Sequence, residues 1–224
     1  MTEISSSTQQ IGFWSAVLST SFSIAYAVAQ LGEWLGLLGS KGGPGSASTL
    51  LGLIVLLTPS LLLAPSFVVL MVSIHQVASP AEKIWSHIAV VFASLYATLV
   101  SLVYFVQLTF VVPRIAHGRT QGIEQFLFVP FDSLLYSVDL LGYSFMSLAT
   151  LFAAKVFTSR GLERIVRLFL IANGLLLPFI ALQTYFRPLI WVASLWAVTF
   201  PGSAGSLAVL FRRQPVDPSH GAAA

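Results

Sequence analysis

A chain of 224 residues that is 56% hydrophobic and only 8% charged cannot clothe an ordinary soluble domain, which carries about 25% charged residues. Its formal charge of +3 includes no dense basic run, so nucleic acid is not an expected partner. The lack of cysteine excludes disulfides, Cys-ligated zinc, iron–sulfur clusters and a thiol nucleophile.

Apolar runs long enough to cross a bilayer, which takes roughly 20 residues, recur along the chain. The pattern predicts an all-α polytopic membrane bundle, a single domain over 1–213 with six transmembrane helices. The opening MTEISSSTQQ has no Lys or Arg. It is unlike the n-region of a cleavable signal, so the first span, about 11–38, is expected to stay as a helix. Glycines and Pro44 in GSKGGPGSAS end it. The second span, about 49–75, is uncharged, and Pro59 and Pro65 are expected to interrupt its hydrogen-bond ladder. The third, about 81–112, is longer than the hydrocarbon core and must tilt or protrude.

The polar connection PRIAHGRTQGIEQFLF follows, its second half expected to lie flat at the interface. The fourth span covers about 131–157, the fifth about 161–185 and the sixth about 188–211. Asn173, Gly174 and Pro178 in the fifth allow a kink, as do Pro201 and the small residues Gly202, Ser203, Ala204 and Gly205 in the sixth. Residues 214–224, polar and rich in Pro and Gly, are expected to be disordered.

The distribution of Lys and Arg sets the expected orientation. Lys83, Lys155, Arg160, Arg164, Arg167, Arg212 and Arg213 fall on the side of the termini, and Lys41, Arg114, Arg119 and Arg187 on the other. Seven against four places both termini in the cytoplasm, in what composition suggests is a bacterial inner (cytoplasmic) membrane. Arg160, Arg164 and Arg167 share one helix face, which fits contact with anionic lipid as well as a plain topogenic role. LLLAPSF in the second span and LLLPFIA in the fifth hint at an inverted repeat. The rest of the two halves do not match, so a repeat is not expected.

Polar residues run in seams. In the fourth span Asp132, Tyr136, Asp139, Tyr143, Ser147 and Thr150 are spaced 4, 3, 4, 4 and 3, within an arc of about 80° on a helix. Ser15, Ser19, Ser23, Tyr26, Gln30 and Glu33 share a similar arc of about 80° in the first. His87, Ser94, Thr98 and Ser101 make a weaker seam in the third, with Tyr104 at its edge. Such faces avoid lipid, so the first, third and fourth spans are expected to meet inside the bundle. Ser, Thr, Tyr and Gln seams are also commonly plain helix–helix contacts.

In the expected topology Glu33, Asp132 and Asp139 approach the outer side, where they could gather in one outward-facing pocket with Arg114, Arg119 and Arg187 at its rim. Asp132 and Glu33, close to helix ends, read more simply as interfacial residues. Asp139 is different: a mid-span aspartate costs about 2.5–3.5 kcal/mol on insertion scales and wants a partner or a proton. Candidate ligand- or proton-binding residues are therefore Asp139, Tyr136, Tyr143, Asp132, Glu33, Gln30 and Tyr26.

Signatures of catalysis are missing. His75, His87, His117 and His220 are scattered without metal-ligand spacing. The GSAGS stretch at 202–206 has no histidine in the last three spans to activate its serines. Asp132 and Asp139, about 10 Å apart along one helix, cannot share a proton as an aspartyl dyad does. No cofactor is implied. The leading expectation is a membrane protein that binds or transports a small solute or cation. The alternatives are a non-catalytic membrane subunit, assembly factor or sensor, and a lipid-modifying enzyme.

Overall fold

The structure is a computed structural model and describes residues 5–214. From residue 215 onward, the expected disordered tail lies outside the described residues. The described residues form helices and loops, with no strand among them.

Six helices are long and apolar enough to cross a membrane: α1 Ser6–Trp34, α2 Leu50–Val77, α3 Pro80–Ala116, α4 Leu134–Val156, α5 Gly161–Leu182 and α6 Arg187–Arg213. Caps fix three of the starts. The side chains of Ser5, Thr49 and Ser133 accept from the backbone N–H of Thr8, Gly52 and Tyr136, satisfying donors that the first helical turn leaves free. The α1–α2 loop turns on Gly36, Gly39, Gly42 and Gly43, all at positive φ, which glycine adopts without a Cβ penalty.

The two prolines of α2 have no N–H to give its hydrogen-bond ladder, yet the helix is continuous across Pro59 and Pro65. Packing holds the helix together across the missing bonds, since Leu57, Leu63, Ala64 and Phe67 are buried in the core. In α5 the helix does break, at residues 175 and 176, just before Pro178. The LLLAPSF and LLLPFIA segments thus adopt different backbones. α3 widens into a π-turn over Gln107–Val111, and α6 opens with short turns before its main run Trp196–Arg213.

Each helix packs against its neighbours in chain order, and α6 closes back on α1, giving an antiparallel ring of six. Only part of the expected meeting of the first, third and fourth spans is found. α3 and α4 pack closely, Gly142 admitting Val100, but α1 packs on α2 and α6 and faces α4 only across the ring. The seam expected on α3 points outward: His87, Ser94 and Thr98 are exposed, and the two hydroxyls bond back to Val90 and Ser94 carbonyls. Its inward face is Ser86, Ala89, Ala93, Tyr96, Val100 and Val103, where apolar and aromatic bulk meets the core.

The termini lie at one end of the ring. At the other end the segment 117–133 folds down over the bundle and contains one short turn at Glu124–Phe126, rather than a flat interfacial helix. It is tethered by Gln107, whose buried Nε2 donates to the Phe126 carbonyl at 2.6 Å.

Candidate functional site

At the loop end the ring encloses a cavity of about 520 Å³. The expected residues Tyr26, Gln30, Glu33, Tyr136, Asp139 and Tyr143 all line it. α1 and α4 deliver them because each carries its seam on the face turned into the ring. The two helices run in opposite directions. Tyr26 and Tyr143 stack with centroids 6.4 Å apart and so mark one level. At 1.5 Å per residue, Glu33 then stands about 4–5 Å nearer the mouth than Asp139.

The two carboxyls are the unusual groups. Asp139 is 4% exposed and Glu33 is 3% exposed. Among the described residues Asp139 Oδ1 and both Glu33 oxygens have no hydrogen-bond partner. The Tyr104 hydroxyl lies within hydrogen-bonding reach of the Asp139 carboxyl and 3.3 Å from the Tyr143 hydroxyl, so among the described residues it is the one protein group placed to donate to this carboxyl. Glu33 rests on the first turn of α2, where Gly52 leaves it room: a Cβ there would come within 2.6 Å of Glu33 Oε2. The positive end of the α2 dipole favours a carboxylate at that place. The interfacial reading of Glu33 is therefore corrected, because the loop after α1 folds back over it instead of opening it to headgroups.

The other polar groups are partly engaged. Tyr26 donates to Gln30 Oε1 at 3.2 Å, and Tyr136 donates to Gln183 Oε1 at 3.3 Å. Asp132 does not belong to the cavity. It precedes α4, is two-thirds exposed, and pairs with Arg187 at 3.4 Å. Neither do the expected rim cations. Arg114 lies 3.6 Å over the Phe110 ring, Arg119 is exposed, and Arg187 reaches outward to Asp132. Among the described residues no Lys or Arg lines the cavity.

Below the carboxyls a belt of five rings closes the centre. Trp196, Phe200, Phe67, Tyr96 and Tyr143 contact in turn, each centroid within 5.3–5.6 Å of the next, and Tyr143 returns to Trp196 at 5.4 Å. Tyr26 leans edge-on against Trp196 at 5.5 Å. This floor comes from α2, α3, α4 and α6. A search for polar seams passes over it, because its members read as ordinary core aromatics. Gln183, past the end of α5, and Phe128, in the loop, were missed for a different reason: only the folded chain brings them to the wall.

Toward the termini the α4 seam continues in a different style. Thr150 Oγ1 accepts from Asn173 Nδ2 at 3.1 Å, and Asn173 Oδ1 accepts from Thr199 at 3.0 Å, tying α4, α5 and α6 together. At that end His75 accepts or donates at Ser86 over 2.8 Å, and its ring lies 5.7 Å from that of His87. Among the described residues no three His, Cys, Asp or Glu side chains converge as a metal site would require. No protein-family model, no curated protein and no solved structure matches the chain.

Proposed function

We propose that the chain is a multi-pass integral membrane protein of a bacterial cytoplasmic membrane, with both termini inside, that binds a small solute or cation in this outward-facing cavity. One observation carries the reading: three buried carboxyl oxygens of Glu33 and Asp139 without a hydrogen-bond partner face one half-open cavity, whose wall carries no Lys or Arg among the described residues. Buried polar groups are normally paired, and each exception needs an explanation. A helix–helix contact would have paired them, as Asn173 is paired. A ligand that supplies donors or positive charge accounts for both at once.

In this reading Asp139 is the intramembrane acid, taking a proton or pairing with a cationic group. Glu33 shares the charge nearer the mouth, and Tyr26, Gln30, Tyr136 and Tyr143 supply hydrogen bonds and ring faces. Movement across the membrane would require the aromatic floor to part. A lipid-modifying enzyme is less well supported, since the wall lacks the Lys or Arg that hold a phosphate.

Water accessibility tests the reading without knowledge of the ligand. The chain has no cysteine, so single substitutions Tyr136→Cys, Asp139→Cys, Tyr143→Cys and Ser147→Cys each report one position. A membrane-impermeant thiol reagent added outside is expected to label the first three. Ser147, fully buried below the wall, is expected to stay unlabelled. Protection of all four would mean a sealed packing seam and favour the subunit or assembly-factor alternative.

A further inference from the structure

The cavity also has an opening that faces sideways. Ile24, Val28 and Leu31 on α1 line it, yet they are 48%, 65% and 56% exposed on the outer surface of the helix. A residue that is both outward-facing and part of the wall stands at an aperture. On the far side of the gap are Ser194 and Ala197 of α6. α1 packs on α6 mainly along Trp196–Arg213; the preceding short turn at Ile190–Ala193 meets α1 chiefly through the ring of Trp191. Tyr26 against Trp196 closes the gap below, and Trp34 against Trp191, with centroids 5.3 Å apart, closes it above. The frame is mainly apolar and aromatic, the Ser194 hydroxyl bonding back to the Trp191 carbonyl, and it lies within two helices read as membrane spans.

We infer that the cavity takes a lipophilic organic cation, an ammonium head on an apolar body, that reaches it from the bilayer between α1 and α6. This rests on the solute-binding reading above and names its ligand class. The wall fits that chemistry in three ways. The unpartnered Glu33 and Asp139 oxygens accept charge or N–H donors. Tyr26, Tyr143 and Trp196 present ring faces and edges in mutual contact, and such rings attract a desolvated cation. The space is far larger than a bare metal ion, which would need several convergent oxygens. An anion finds no positive partner there. A membrane-dissolved ligand also explains why the aperture is lined by Ile, Val and Leu rather than by hydrophilic side chains.

The test uses the full chain in phosphatidylcholine nanodiscs, titrated with decyltrimethylammonium, decanol, decyl sulfate and tetramethylammonium. Tryptophan fluorescence from Trp34 and Trp196 reports occupancy, and calorimetry gives affinity. Decyltrimethylammonium is expected to bind at least about tenfold tighter than each of the other three. Asp139→Asn and Glu33→Gln should each remove most of that preference without altering thermal stability. Ala197→Trp, at the aperture and away from the carboxyls, should slow association and leave the affinity of the bound state nearly unchanged. Equal binding of decanol would overturn the charge selection but leave a solute-binding cavity. Preference for tetramethylammonium, or unchanged association in Ala197→Trp, would overturn the bilayer route. If no probe binds while Asp139→Cys is labelled from outside, the ligand class is wrong and the open cavity stands. No binding together with no labelling removes both readings.

Discussion

Toward the chain termini, the polar side chains inside the ring are mostly paired. Asn173 bridges Thr150 and Thr199, and Ser15, Thr20 and Ser203 bond back to their own helices. The exceptions there, the Ser19 and Ser147 hydroxyls and the Gln214 amide oxygen, are all neutral. Toward the loops, the same two helices instead bury two carboxyls and leave three of their oxygens without partners around an open space. Equal seams in sequence thus have unequal uses: one half spends polarity on holding helices together, and the other keeps it free for something that arrives.

Four measurements sharpen or break that contrast, and the largest effect is expected in the packed half. A Cβ on Gly174 would stand 2.7 Å from Leu151 Cβ and 3.0 Å from the Ser147 carbonyl, which cannot move aside cheaply. Gly174→Val is expected to lower stability by about 1–3 kcal/mol, read as reduced thermal unfolding temperature in detergent. A neutral result would show that α4 and α5 are not pressed together there. Next, Asn173→Ala should remove the bridge between three helices and cost roughly 1–2 kcal/mol. If it does not, the paired half is not held by its polar contacts.

In the open half the expectation reverses. Asp139→Asn and Glu33→Gln keep the shape of two buried carboxyls, three of whose four oxygens are unbonded, and remove the cost of burying their charge, so stability should be unchanged within about 0.5 kcal/mol or should rise. A clear loss in either variant would mean that the carboxyl anchors the fold, and the contrast between the halves would collapse. The smallest effect belongs to the outer surface. Arg187→Ala breaks an exposed pair with Asp132 and should shift stability by less than about 0.5 kcal/mol, with no change in ligand binding.

Much of this was legible in the residues. The six long apolar helices and the inward seams of α1 and α4, with Tyr26, Gln30 and Glu33 on one and Tyr136, Asp139 and Tyr143 on the other, follow from hydropathy and helical periodicity. Where periodicity was a poor guide, the reason is physical. Ser94 and Thr98 on α3 satisfy themselves on the preceding turn and so tolerate an outward position. Asp132 shares the angular position of Asp139 but falls before the helix starts at Leu134, so its wheel angle means nothing.

What the chain by itself determined is the set of helices and the faces that α1 and α4 hide, because both depend on local spacing and on the cost of leaving polar groups in apolar surroundings. What only the tertiary structure decided is adjacency. Ring order sets α1 opposite α4 rather than beside it, and that separation leaves a cavity between the two seams. The glycine-rich loop after α1 buries Glu33 against the start of α2, and the short turns opening α6 meet α1 through Trp191 on Trp34 before the main run from Trp196 packs along it. These are contacts between residues far apart in the chain, and no local pattern encodes them.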